Sequence, residues 1–145
     1  MSRAERIVVC GGGAIGCATA YFLAKRVARP VVVERHAVAG SASGKSGGFL
    51  AHDWCRGTVL DRLARRSFEI HAELAAALGN PWGYHRLESY GGYAEARDAG
   101  RGARPLPWLS PNVTLTSRLG TPQTTAVVDP HAYTTGLMRA AEAEG

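Results

Sequence analysis

Three glycines near the start of the chain, Gly11, Gly13 and Gly16, have the spacing that can hold a phosphate group. They follow a short apolar run, Ile7 to Val9, which is typical of a strand buried on both faces. A helical pattern begins directly after them. In this context the first glycine permits a tight turn, the second lets the backbone approach a pyrophosphate, and the third allows close packing of helix on strand. The pattern predicts a dinucleotide site at the start of a helix.

Glu34 adds a second group to this predicted site. It comes directly after another apolar run, Val31 to Val33, and eighteen residues beyond Gly16. A carboxylate at this place can accept hydrogen bonds from the hydroxyls of a ribose, and it would repel a 2′-phosphate, which disfavours NADP. The motif fits NAD and FAD equally well, so both remain open at this point.

The elements that must position these residues form one local unit. The helix that follows the glycines is expected to run to about Val27, because Pro30 prevents its continuation. Strand, glycine turn, helix and strand within about thirty residues make a βαβ unit with a right-handed crossover. The fold class predicted for the chain is therefore α/β, with a Rossmann-like parallel sheet.

The middle of the chain contains a small-residue segment and a long helical pattern. Residues 40 to 48 are almost all small or polar, which predicts a loop rather than a packed element. The segment from Val59 to Leu78 predicts an amphipathic helix that covers the sheet and ends at Gly79 and Asn80. Its apolar residues with helical spacing, which have Phe68 beside them, are Leu60, Leu63, Ile70, Leu74 and Leu78.

The last third of the chain is less regular. Residues 81 to 122 mix aromatic residues with glycine and proline, and we expect one strand near Leu87 to Tyr93 and loops elsewhere. A strand through Val128 and a helix with Asp129 as N-cap and Pro130 at its first position follow. The buried side of that helix is expected to contain Leu137, Met138 and Ala141.

Composition narrows the class of protein. With 46% hydrophobic and 20% charged residues, the chain is typical of a soluble globular domain. Neither a membrane span nor a signal peptide is indicated, and a cytoplasmic location is expected. The net charge of +5 includes a cluster at Arg62, Arg65 and Arg66, which we interpret as a solvated helix face and not as a nucleic-acid footprint.

No metal site or disulfide is indicated either. Cys10, Cys17 and Cys55 form no CxxC pair, and each is expected to be a small buried side chain. The histidines have no metal-ligand spacing. They are His36, His52, His71, His85 and His131.

Four segments of the sequence resemble one enzyme family. They are "IVVCGGGAIGCATAYFLAKR", "VVVERH", "SASGKSGGFLAHDW" and "TPQTTAVVDPHAY". In this order they resemble the FAD-dependent amine and amino-acid oxidoreductases of the D-amino-acid oxidase, glycine oxidase and sarcosine oxidase superfamily. Val27 departs from that resemblance, because many relatives have a glycine there that ends the first helix.

The resemblance implies FAD as the cofactor and an amine or amino acid as the substrate. It also implies an FAD-binding domain interleaved with the beginning of an α+β substrate domain: residues 1–80 for the first, 81–122 for the second, and 123–145 for a return strand and helix of the first. Because the relatives are much longer, the chain is expected to be an N-terminal portion. The cofactor-binding residues carried over are Gly11, Gly13, Ala14, Ile15, Gly16, Glu34, Arg35, Ser43, Gly44, Lys45, Ser46, Gly47 and Gly48.

Two other functions fit parts of the sequence. An NAD-dependent dehydrogenase domain would explain the glycine motif and Glu34, although not the segment from Ser43 to Gly48. A non-catalytic nucleotide-binding or interaction module could use exposed aromatic residues between positions 82 and 108. Flavin chemistry requires little of side chains, so no catalytic residue is assigned. His52 and Asp53, which follow the flavin-side segment, are candidates for proton transfer.

Overall fold

Strands and helices alternate through most of the chain. The computed structural model describes residues 7–26, 28–94 and 106–145. Within these ranges the elements, in chain order, are β1 (Val8–Cys10), α1 (Ala14–Ala24), β2 (Val31–Val33), α2 (Ala42–Lys45), β3 (Phe49–Ala51), α3 (Asp61–Ala77), β4 (His85–Arg86), β5 (Ser89–Ala94), β6 (Val113–Gly120), β7 (Thr125–Val127) and α4 (Pro130–Ala143).

The predicted βαβ unit is present. Strands β1 and β2 pair in parallel, with Val8 opposite Val31 and Cys10 opposite Val33, and α1 connects them. Val9 and Val32, which alternate with these residues, point to the other face of the sheet. Helix α1 ends at Ala24, earlier than predicted, and a turn follows it. The predicted end at Val27 lies outside the described residues.

Two antiparallel sheets complete the described architecture. In one, β7 pairs with β3 on one side and with β4 on the other. In the other, β5 pairs with β6, and the ladder is irregular after Ser89 and after Gly91. The strand predicted near Leu87 to Tyr93 is present as β5, but the expectation of loops elsewhere between residues 81 and 122 was wrong, because β4 and β6 are strands as well. Strand β4 has only two residues, and the irregular ladder breaks the alternation along β6.

The hydrophobic core lies where three helices meet. Helix α1 packs against α4, and buried residues of α1, α3 and α4 surround Trp82, which is 1% exposed. Trp82 thus corrects the expectation that the aromatic residues between 82 and 108 are exposed, although Tyr93 and Trp108 are. Gly136 of α4 faces the indole so closely that an added Cβ would stand 3.0 Å from it.

Only some of the apolar residues predicted for the covering face of helix α3 are buried. Phe68 and Leu74 are buried, whereas Leu60 and Leu63 are exposed. At its C-terminal end Gly79 and Asn80 both have positive φ, as predicted for a helix end. In the basic cluster, Arg62 and Arg66 are exposed, whereas Arg65 is half-buried. Arg66 pairs with Glu69 and Glu73 on the same helix.

The cysteines differ from the prediction. Cys17 is fully buried in α1, but Cys10 is exposed at the end of β1 and Cys55 is half-buried. Cys10 is exposed because it belongs to the face of the two-stranded sheet that α1 does not cover, together with Val8, Val31 and Val33. No helix in the described part of the chain is long and apolar enough to cross a membrane.

Helix α4 begins with the predicted cap. The carboxylate of Asp129 accepts a hydrogen bond from the N–H of Ala132 at 2.8 Å, and Pro130 occupies the first turn. Asp129→Ala removes this acceptor and is expected to lower the free energy of unfolding by about 1 kcal/mol in urea titrations. Asp129→Asn keeps an acceptor and should lose much less. Equal losses in both variants would contradict a capping role.

Candidate functional site

The glycine turn between β1 and α1 is as tight as the motif predicts. Gly11 has φ +106°, and its N–H donates to the carbonyl of Val33 at 2.7 Å, which ties the turn to β2. A Cβ built at Gly16 would overlap the carbonyl oxygen of Gly11. Any side chain at the third glycine of the motif would therefore force the turn to shift.

The start of α1 is covered by the segment around Ser43. The N–H groups in the first turn of a helix have no intrahelical partner, and the hydroxyl oxygen of Ser43 accepts one of them, from Ala14, at 2.9 Å. A Cβ added at Gly13 would stand 2.9 Å from the same oxygen. The backbone is thus bare where a polar oxygen approaches it, which is the arrangement that a phosphate oxygen requires.

Ser43 belongs to a short helix. The prediction that residues 40 to 48 form a loop without a packed element was wrong in this respect, because residues 42–45 form α2, which contacts α4. An added Cβ at Gly44 would overlap the carbonyl of Ala39, so the glycine-rich composition here allows close packing. A segment of small residues has no apolar period, and its sequence alone therefore indicates a loop.

The carboxylate of Glu34 reaches back to the glycine turn. One oxygen accepts the N–H of Gly12 at 2.7 Å, and the other accepts the N–H of His36 at 2.9 Å. These donors, that of Gly12 first, hold the pKa of Glu34 below its usual value, so the group is ionised at neutral pH. A carboxylate can accept about four hydrogen bonds, and the remaining lone pairs can serve ligand hydroxyls.

Three neighbouring cavities border these residues. A cavity of about 320 Å³ lies between the segment from Ser43 to Gly48 and α4. A small one of about 30 Å³ lies between Ser43 and Glu34, and a third of about 420 Å³ extends from Glu34 along α1 and β2. Because Ser43 lines the first two and Glu34 the last two, the cavities adjoin one another in this order, and we refer to the three together as the track.

The other residues predicted for the site occupy different places. Gly48 is buried, and its carbonyl accepts the N–H of Val128 at 2.9 Å. Ser46 and Gly47 are exposed and line the 320 Å³ cavity. The side chains of Ile15, Arg35 and Lys45 are exposed and line none of the three cavities.

His52 lies farther along, beyond β3. Its N–H donates to the carbonyl of Thr124, and its Nδ1 accepts a long hydrogen bond from Arg65 at 3.4 Å. Its ring meets Phe68 edge-on. None of the three cavities is lined by His52 or Asp53, so the candidates for proton transfer stand apart from the track.

The residues on the far wall of the 320 Å³ cavity were not predicted from the sequence. They are His71 of α3 together with Tyr133 and Thr134 of α4. The rings of His71 and Tyr133 stack with centroids 4.8 Å apart, and burial raises the pKa of Tyr133 to about 12. These residues are about sixty positions apart in sequence, and no local pattern joins them. The residues that the structure describes contain no cluster of ligands suited to a metal ion.

The geometry agrees with a match to a known family. The profile of the family described as "DAO: FAD dependent oxidoreductase" matches residues 6–145. The chain belongs to the DAO family. Because this is a family of FAD-dependent oxidoreductases, the choice between NAD and FAD is decided in favour of FAD.

Individual relatives place this DAO family chain among longer proteins. "Putative oxidoreductase C1F5.03c" of Schizosaccharomyces pombe is 31% identical in an alignment 144 positions long that covers 92% of the chain and 37% of that relative. The solved structure of glycine oxidase from Bacillus cereus is similar at 25% identity with a TM-score of 0.76, covering 96% of the chain and 45% of the oxidase. An L-amino acid deaminase from Proteus myxofaciens shares the fold at 20% identity and a TM-score of 0.70, covering 99% of the chain and 37% of the deaminase. The chain therefore spans less than half the length of these three relatives.

Proposed function

We propose that this chain holds FAD along the track of three cavities and belongs to an oxidoreductase that acts on the C–N bond of an amine or amino acid. The observation that carries the proposal is the shared position of Ser43 and Glu34, each of which lines two adjoining cavities beside the glycine turn. FAD is a long molecule with a diphosphate in its middle, and this arrangement suits such a ligand. The substrate class is supported by the likeness to glycine oxidase.

Each part of the track suits a different part of the cofactor. Glu34, ionised and with free lone pairs, would bind the adenosine ribose, with Arg35 along the same edge. The turn at Gly11, Gly13 and Gly16, with the backbone N–H groups of Ala14 and Ile15, would hold the diphosphate. The segment that would run along the flavin half consists of Ser43, Gly44, Lys45, Ser46, Gly47 and Gly48.

The chemistry divides between cofactor and protein. FAD, when bound, supplies the acceptor for the hydride that leaves the substrate carbon. The residues of this chain would bind and orient FAD, and Ser43 would exchange its contact with Ala14 for one with the ligand.

The division of the chain into residues 1–80, 81–122 and 123–145, and the cytoplasmic location, stay predictions from the sequence.

Retention of FAD tests the proposal. The purified chain is mixed with FAD, freed of unbound ligand by gel filtration and examined by visible absorption. We expect the wild type to keep the flavin bands and Gly13→Val to lose them, because a side chain at this position occupies the space next to Ser43. Ala76→Val, which adds similar bulk at an exposed position of α3, serves as the control and should keep the bands.

Three outcomes contradict parts of the proposal. No flavin on the wild type overturns binding by this chain. Flavin on both the wild type and Gly13→Val overturns the position at the glycine turn. Bound flavin that no amine or amino acid reduces, in this chain or in a full-length relative, would favour a non-catalytic module.

A further inference from the structure

The 320 Å³ cavity has a polar wall that the proposed function does not use. On one side lies the segment from Ser43 to Gly48, and on the other lie His71, Tyr133 and Thr134. A role for this second wall rests on the proposed function, because the cofactor it would contact is the one proposed to lie along the first.

The imidazole of His71 is held in one orientation by two contacts. Its Nδ1 is 2.7 Å from the carbonyl oxygen of Ser67, one turn earlier on α3. A carbonyl only accepts, so Nδ1 carries the proton and donates. The ring also lies nearly parallel to that of Tyr133, at an interplanar angle of 22°. Within the described part of the chain Nε2 has no hydrogen-bond partner, and it is the ring nitrogen left for a ligand.

The surroundings keep this imidazole neutral. Burial lowers the pKa of His71, and the bond to Ser67 offsets only part of that effect. The other titratable group among the described residues lining the cavity is Tyr133, whose pKa burial raises to about 12, so it is uncharged as well. No Asp, Glu, Lys or Arg belongs to this described lining. At neutral pH Nε2 therefore carries a lone pair and can only accept.

The hydroxyl of Thr134 cannot supply a hydrogen to Nε2, because it already donates to the carbonyl of Pro130 at 2.9 Å. The hydroxyl of Ser43, which accepts from Ala14, would turn to the ligand in the proposed complex. A ligand group that satisfies Nε2 must bring a hydrogen of its own. Phosphate and flavin carbonyl oxygens have none, whereas an alcohol does. Ala14, whose N–H is proposed to hold the diphosphate, lines this cavity. The ligand atoms in the cavity are therefore those next to the diphosphate.

We propose that Nε2 of His71 accepts a hydrogen bond from a hydroxyl of the polyol chain that joins the diphosphate of FAD to its ring system. His71 is then a cofactor-binding residue supplied by α3, a helix outside the glycine motif and the flavin-side segment. Its partner Tyr133 positions the imidazole by stacking.

Paired substitutions test the hydrogen bond. His71→Leu removes the acceptor, while His71→Gln replaces it with an amide oxygen. Titration of each variant with FAD, followed by flavin fluorescence, is expected to show about three- to tenfold weaker binding for His71→Leu and near wild-type binding for His71→Gln. His85→Gln is the matched control, because the Nδ1 of that exposed histidine lies 3.0 Å from a backbone carbonyl and it lines none of the three cavities.

A spectroscopic measurement reads the atom directly. In nitrogen-15 spectra of the wild type, the Nε2 resonance of His71, assigned by its loss in His71→Gln, should have the shift of an unprotonated nitrogen and move on addition of FAD. If FAD binds but this resonance stays in place, the inference is wrong and the proposed function stands. Equal weakening in His71→Leu and His71→Gln would also overturn it, by indicating a packing role. Failure of the wild type to bind FAD overturns both proposals.

Discussion

Gly16→Ala is expected to lower the free energy of unfolding by about 3 kcal/mol, near the upper end for an overpacked site. The added Cβ would overlap the carbonyl oxygen of Gly11, and it would also stand 3.4 Å from Val9. That oxygen cannot move aside freely, because Gly11 is tied to Val33 by its N–H at 2.7 Å. Urea denaturation followed by circular dichroism gives the difference.

Gly47→Ala is the matched control for this change. It makes the same substitution where no heavy atom lies within 4 Å of the new Cβ and the backbone needs no positive φ. Its unfolding free energy should stay within about 0.5 kcal/mol of the wild type. If Gly16→Ala were as stable as Gly47→Ala, the turn would have to differ from the one described.

Glu34→Gln is expected to weaken FAD binding about ten- to a hundredfold, the effect of losing a hydrogen bond to a charged group. The amide has one oxygen, which cannot serve both Gly12 and His36 as the carboxylate does. Ligand hydroxyls would meet an NH₂ group where the wild type offers an anionic oxygen. Titration with FAD under the same conditions as for the wild type measures the change.

A control substitution at an exposed glutamate elsewhere on the surface distinguishes the loss of the Glu34 hydrogen bonds from the loss of one negative charge. Glu73 of α3 pairs with Arg66 at 2.6 Å and lines none of the three cavities. Glu73→Gln should leave FAD binding unchanged. If Glu34→Gln binds FAD as tightly as the wild type, then Glu34 is not part of the proposed site, even if the glycine turn is.

The parts of the fold that could be predicted are those specified by local patterns. The unit β1, α1, β2 follows from two valine-rich runs and a glycine turn, and the start of α4 follows from Asp129 and Pro130. In each case the decisive contacts join residues close in sequence or elements already indicated by their periods. The contact from Glu34 to Gly12 crosses twenty-two positions but connects the ends of two predicted strands.

The parts that could not be predicted depend on distant contacts. Strands β3 and β4 have three and two residues, and they exist because β7, much later in the chain, lies between them. The wall formed by His71 and Tyr133 likewise needs α3 and α4 to be packed together. A histidine in an amphipathic helix is compatible with a surface position or a buried one, and the ring stack distinguishes them only after folding.

The burial of Trp82 has an optical consequence. The chain has three tryptophans, and Trp54 and Trp108 are 55% and 74% exposed whereas Trp82 is 1% exposed. An indole away from water emits at shorter wavelength than one in contact with it, so the emission band of the native chain contains a short-wavelength component from Trp82. Trp82 meets Tyr133 edge-on, and Tyr133 lines the proposed flavin-side cavity. Trp82 is thus an intrinsic fluorophore close enough to transfer energy to a flavin bound in that cavity.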